Sequence, residues 1–156
     1  MSGFADVVFN INNLTATVRM ATPIALAAMG GAFSERSGVV NIGLEGMMLA
    51  GAFCGVLGSH FTGSPWLGVA FAVAGGGLVG AILAVFAIRL KADHVVTGVG
   101  INILASGATT WLMQVIWKRK GATDMVAGLG TWSVPGLRGI PVLGTILGTH
   151  SPLVYI

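Results

Sequence analysis

Residues 46–88 read GMMLAGAFCGVLGSHFTGSPWLGVAFAVAGGGLVGAILAVFAI, without one Asp, Glu, Lys or Arg. A helix needs about 20 predominantly apolar residues to cross the hydrocarbon core of a bilayer. The run is long enough for two crossings, with Thr62-Gly63-Ser64-Pro65 as the turn between them. The alternative, a core helix buried inside a soluble domain, does not need an uncharged run of this length.

Outward from that run the same material recurs. Downstream, Arg89 to His94 is polar, and Val95 to Trp117 is a second uncharged stretch, long enough for one crossing. Upstream, Thr15 to Phe33 is apolar except for Arg19 and is interrupted by Pro23. After the break Ser34-Glu35-Arg36-Ser37-Gly38, the chain is largely apolar from Val39 to Phe61, with Glu45 as its one Asp, Glu, Lys or Arg. Four spans are therefore expected, at Thr15–Phe33, Val39–Phe61, Trp66–Ile88 and Val95–Trp117, with Trp66 as an interfacial aromatic. Lys118-Arg119-Lys120 closes the fourth, and the Gly- and Pro-rich residues Gly121 to Gly139 read as a surface loop. Ile140 to Ile156 begins a further hydrophobic stretch, with Pro152 placed as in a first helical turn. The expected fold class is all-α: a polytopic transmembrane bundle of about four full spans plus the start of a fifth, one helix discontinuous, in a single transmembrane domain over residues 1–156. The chain is expected to be the N-terminal part of a longer protein; an interfacial C-terminal segment is the alternative.

Composition agrees. Of the 156 residues 54% are hydrophobic and 8% charged, with a mean hydropathy of +0.88, whereas a soluble domain carries roughly 25% charged residues. The net charge of +3 reports loop orientation more than partners. If the spans alternate, Arg36, Arg89 and Lys91 lie on one side and Lys118, Arg119, Lys120 and Arg138 on the other, so the positive-inside tendency does not decide orientation. No basic, aromatic-interleaved patch points to nucleic acid. Cys54 is the single cysteine, which excludes a disulfide within the chain. Met1 to Leu14 lacks the basic start and small-residue cleavage site of a secretory signal, so the first span is expected to serve as its own insertion signal.

In lipid, helices associate through close backbone approach and interhelical hydrogen bonds. Gly51 and Gly55 form a small pair four apart; Ala72, Gly76, Gly80 and Ala84 line one face of the third span. The fourth carries Gly98, Asn102, Ser106, Thr110 and Gln114, again four apart and polar as well as small. That stripe reads either as helix–helix glue or as the lining of an aqueous or substrate pathway.

The most loaded segment is Ser37-Gly38-Val39-Val40-Asn41-Ile42-Gly43-Leu44-Glu45-Gly46. A carboxylate at mid-bilayer costs roughly 2.5–3.5 kcal/mol on insertion scales, so Glu45 should face protein or water, be paired, or be protonated. Asn41 and Glu45 fall at i and i+4, one face of a helix, while Gly38, Gly43 and Gly46 weaken that helix. Transporters present backbone groups to substrates from such broken helices. The competing reading is a structural Glu45 near the interface, capping or pairing with Arg36 or Arg89.

Several chemistries are excluded by absence from the sequence. There is no G-x-x-x-x-G-K-[ST] phosphate loop, no G-x-S-x-G, no H-E-x-x-H and no Cys/His metal spacing. His60, His94 and His150 stand apart, so no metal is expected. A membrane-embedded enzyme using Glu45 lacks a second catalytic group at a fixed spacing.

The run from Thr22-Pro23-Ile24-Ala25-Leu26-Ala27-Ala28-Met29-Gly30-Gly31 through Phe33-Ser34-Glu35-Arg36-Ser37-Gly38 to Val40-Asn41-Ile42-Gly43-Leu44-Glu45-Gly46 closely resembles the permease subunits of bacterial ABC importers. The class is the one serving ribose, other simple sugars and branched-chain amino acids. Arg89-Leu90-Lys91-Ala92-Asp93 with Val95-Val96-Thr97-Gly98 resembles its nucleoside and simple-sugar branch, as does Ile140-Pro141-Val142-Leu143-Gly144 leading to Ser151-Pro152-Leu153-Val154-Tyr155. The resemblance implies a transmembrane subunit, not an enzyme, in the inner membrane. Its partners would be a second permease subunit, cytoplasmic ATPases that carry the ATP, and an extracytoplasmic substrate-binding protein; the chain itself needs no cofactor. It places Asn41 and Glu45 near the translocation pathway; Asn102, Ser106 and Gln114 of the polar stripe are expected, on their spacing, as further lining. Pro23, Gly38, Gly43, Gly46, Gly51, Gly55, Gly76, Gly80 and Gly98 are expected to break or pack helices. It also turns the loop from Gly121 to Gly139 toward the binding protein. Such permeases run to roughly twice this length. Outside that family, a small membrane scaffold that translocates nothing is the remaining expectation.

Overall fold

A computed structural model describes residues 10–119, 121–123, 125–133 and 149–155. Four long helices occupy the apolar runs: α1 (Ile11–Arg36), α2 (Leu44–Thr62), α3 (Pro65–Ala84) and α4 (His94–Trp117). A five-residue π turn, Val85–Arg89, continues α3. At 1.5 Å per residue, the 19-residue α2 is about 28 Å long and the 24-residue α4 about 36 Å, against a core of about 30 Å. All four are long and apolar enough to cross a membrane. Their outer faces are lipid-like: Val73, Leu78 and Ile103 are 70%, 65% and 69% exposed. Exposed apolar side chains along helices this long suit contact with lipid tails.

The chain divides into two compact units, residues 1–29 with 129–156, and residues 30–128. In the second, α2 packs most extensively on α3 and next on α4. Small residues set the α2–α3 distance. A Cβ on Gly68 would stand 2.8 Å from the Gly55 carbonyl, and one on Gly51 would stand 3.2 Å from the Ala72 carbonyl. Gly55 faces Ala72, Gly76 faces the Met47 carbonyl, and a Cβ on Gly80 would meet the Met47 sulfur at 3.8 Å. Glycine here is a matter of backbone clearance.

The ends of the helices follow local chemistry. Pro65 opens α3 at a position where its missing N–H costs nothing. Asp93 caps α4, its carboxylate accepting from the N–H groups of Val95 and Val96 at 2.9 Å each. Asp93→Ala should therefore cost about 1 kcal/mol, read as a lower thermal midpoint of the detergent-extracted protein, while Asp93→Asn should stay near the parent. An Ala variant with an unshifted midpoint removes the cap from the account.

Three expectations are corrected. Pro23 does not break the first span: α1 runs through it. Proline removes one ladder bond, and Thr22 Oγ adds another nearby by donating to the Val18 carbonyl at 3.0 Å. The second helix begins at Leu44, not Val39, for reasons given below. In the first unit, part of the expected loop pairs as a short antiparallel ladder, Trp132–Ser133 (β1) with Thr149–His150 (β2). Beyond it, Pro152 stands in the first turn of a 3₁₀ helix, Pro152–Val154, the position expected of it from the sequence. Lys120, Arg138 and residues 140–148 lie outside the described residues.

Candidate functional site at a break between two membrane helices

α1 ends in a Schellman motif. Gly38 sits at φ +86, its N–H donates to the Glu35 carbonyl at 2.9 Å, and Val39 N–H donates to the Ser34 carbonyl at 3.2 Å. Only glycine takes that φ without strain. The chain then stays out of helix until Leu44. Residue types explain why: Gly43 and Gly46 carry the glycine entropy cost, and Val39, Val40 and Ile42 are β-branched. Asn41 and Glu45 therefore do not share a helix face as expected. Asn41 lies in the irregular segment and Glu45 in the first turn of α2.

The segment is tied to both neighbours. Ser34 Oγ donates to the Val39 carbonyl at 2.9 Å, and Val40 N–H donates to His94 Nδ1 at 3.4 Å. The strongest tie is Asn102 on α4. Its Oδ1 accepts from Gly46 N–H at 2.7 Å, and its Nδ2 donates to the Ile42 carbonyl at 3.0 Å. Gly98, one turn earlier, lets α4 come this close: a Cβ there would stand 2.9 Å from the Gly43 nitrogen and 3.0 Å from the Ile42 carbonyl carbon. On Gly46, a Cβ would meet Asn102 Oδ1 at 2.9 Å and the Ile101 carbonyl at 3.0 Å.

The break thus brings together Asn41, Glu45 and Asn102 from the expected pathway set. Glu45 is exposed. Asn41 is half-buried, its Oδ1 is enclosed without a hydrogen-bond partner, and its Nδ2 reaches only the Met47 sulfur at 3.6 Å. Beside it, Ser34, Ser37, Asn41, Met47 and Gly80 line a cavity of about 150 Å³. Asn102 contributes to the site by holding backbone. Ser106 and Thr110 are exposed farther along α4, and Gln114 is half-buried. Gln114 lies about 18 Å along the helix from Asn102, so it belongs to a different level of the bundle. His94 was not among the expected site residues; its spacing carries no signal for a contact made 54 residues away. His60 sits edge-on to Trp117, ring centroids 5.4 Å apart, away from the break. No group of three potential metal ligands occurs among the described residues.

Fold and site together define a helical membrane bundle whose second span begins after a clamped segment of non-helical backbone. The chain belongs to the family described as branched-chain amino acid transport system / permease component, which it matches over residues 13–134. It is 46% identical over 137 residues to the guanosine ABC transporter permease protein NupQ of Bacillus subtilis strain 168, covering 84% of this chain and 43% of that protein. It is 38% identical over 138 residues to the nucleoside ABC transporter permease protein NupC of Lactococcus lactis subsp. cremoris, covering 85% and 43%. To the putative glucose ABC transporter permease protein TsgC13 of Haloferax volcanii it is 44% identical over 141 residues, covering 90% and 39%. The chain spans about two fifths of the length of these curated relatives. No solved structure matches it.

Proposed function

We propose that this chain forms part of the membrane pathway of an ATP-driven importer whose cargo is a nucleoside. The observation that carries the reading is the break at residues 38–43, where a membrane protein leaves backbone out of helix and sets the Glu45 carboxylate and the enclosed Asn41 oxygen beside it. The non-helical backbone here lines a cavity together with Ser34, Ser37 and Asn41, and transporters present backbone groups to cargo from such helix breaks. Two of the relatives are named for nucleosides or guanosine, and a nucleoside supplies hydroxyl and N–H donors for acceptors such as Asn41 and Glu45. A second permease subunit, cytoplasmic ATPases that bind and hydrolyse ATP, and an extracytoplasmic binding protein complete the proposed assembly. The chain itself holds no cofactor in this scheme.

The test is deletion of the gene in its own host, followed by uptake of radiolabelled guanosine and of glucose. Guanosine uptake should fall and return on complementation. Loss of glucose uptake with guanosine uptake intact would replace the nucleoside by a simple sugar, to which the Haloferax relative's name points. Both intact would remove the chain from transport of either.

A further inference from the structure

In an uninterrupted helix, the N–H of residue 46 donates to the carbonyl of residue 42. Here Gly46 N–H goes to Asn102 Oδ1 at 2.7 Å and the Ile42 carbonyl to Asn102 Nδ2 at 3.0 Å. One side-chain amide has entered the ladder and replaced the backbone bond with a bond at each end. It has the donor and the acceptor of a peptide group, so both backbone groups stay satisfied while the helix stays open.

We propose that Asn102 is a wedge, and that residues 38–46 form a two-state element which it holds in the open state. With the amide withdrawn, Gly46 N–H and the Ile42 carbonyl can bond to each other, and α2 grows toward its N-terminus by up to one turn, about 5.4 Å. The remaining backbone allows this. Gly43 has φ −79 and ψ 7, so its φ is already near the helical value and a rotation of ψ by about 50° completes it, and the hydrogen bond described between Val40 and α4 is the long 3.4 Å one to His94. Growth of the helix moves Val40 away from His94 and moves Asn41 relative to Ser34 and Ser37, changing the cavity they line. Asn102 is thus a positioning residue: it acts on whatever passes the break by setting the segment that presents Asn41 and Glu45. Packed interfaces with two discrete arrangements are the elements that couple distant events in membrane assemblies. The transport arm of this proposal rests on the importer reading; the conformational arm does not.

The experiment uses the chain in its host membrane, with Cys54→Ala removing the native thiol and the pair Val40→Cys and His94→Cys reporting the open state. A short bifunctional methanethiosulfonate should join the pair in the Asn102 background. In Asn102→Leu, which neither donates nor accepts, the cross-linking yield should fall several-fold. Guanosine uptake, measured without the cysteine pair, should fall at least about tenfold at normal protein level. Asn102→Asp keeps an acceptor for Gly46 and loses the donor to Ile42, so its yield should lie between the two. It also serves as the reporter if the Leu variant does not accumulate. Unchanged cross-linking in whichever variant accumulates overturns the wedge. Reduced cross-linking with full uptake, in a strain where deletion abolishes uptake, overturns its role in transport. A strain in which deletion leaves uptake unchanged fails the importer reading instead, and the cross-linking result still stands.

Discussion

Gly98→Ala should lower the thermal midpoint of the extracted protein, and Gly98→Val should prevent it from accumulating in the membrane. The added Cβ would stand 2.9 Å from the Gly43 nitrogen, 2.9 Å from Ile42 Cβ and 3.0 Å from the Ile42 carbonyl carbon. Two of those atoms are backbone, so no rotamer change relieves the contact. Overpacking of this kind costs typically about 1–3 kcal/mol, and a branched side chain adds to it. The displacement also pulls Asn102 off Ile42 and Gly46, leaving two backbone groups at the break to find new partners. Gly100→Ala is the control. It lies on the same helix two residues later with nothing within 4 Å of its added Cβ, and helix propensity there favours alanine by about 1 kcal/mol. Equal midpoints for the Gly98→Ala and Gly100→Ala variants would show that backbone approach at Gly98 does not hold the bundle.

The contrast between those two glycines marks where the sequence ceases to be readable. Both fall in an uncharged run, and both are equally glycine. The span itself was legible because crossing lipid imposes a length and an exclusion of charge, and Val95–Trp117 meets both within one residue of the observed helix. The α3 boundary was legible for the same reason, with Pro65 as punctuation. Four-residue spacing marked Gly51, Gly55, Gly76 and Gly80 as small faces, and the structure places all four at the α2–α3 contact. Which atoms they meet depends on the partner helix, and spacing along one helix carries no information about that.

The break shows the opposite case. Gly38, Gly43 and Gly46 signalled a weak helix, but not whether it would bend, break inside or start late. The outcome was decided at Asn102 and Gly98, more than fifty residues away, through bonds of 2.7 and 3.0 Å. The i, i+4 pairing of Asn41 with Glu45 assumed continuous helix, and it failed because Gly38 takes a left-handed conformation and ends α1 there. Asn102 was legible as a polar residue in a span, which is unusual enough to demand a partner. That the partner is backbone rather than cargo was not legible, because a side-chain amide serves either with the same donor and acceptor. Pro23 is the mirror case: the sequence marks a breaker, and in a long membrane helix one missing ladder bond is not enough to break it.

On the proposed nucleoside-importer reading, Glu45→Gln should lower guanosine uptake by roughly tenfold or more without changing the amount of protein in the membrane. Geometry bears on both halves. Glu45 is the second residue of α2, and that helix is about 28 Å long, so the carboxylate sits near one edge of a core about 30 Å thick. The cost of a mid-bilayer charge therefore does not apply in full, and neutralising it should not rescue or impair insertion. The carboxylate is also favoured where it stands, in the first turn of a helix whose N-terminal N–H groups point toward it. What glutamine removes is a charged acceptor. A hydrogen bond to a charged group contributes about 1.5–3 kcal/mol against about 1 for a neutral one, and each 1.4 kcal/mol is about tenfold. Glu45→Asp separates charge from reach, since it keeps the carboxylate and withdraws it by one methylene. If charge is what the cargo meets, the Asp variant should retain more uptake than the Gln variant. Wild-type uptake in the Gln variant at normal protein level would take Glu45 out of the pathway.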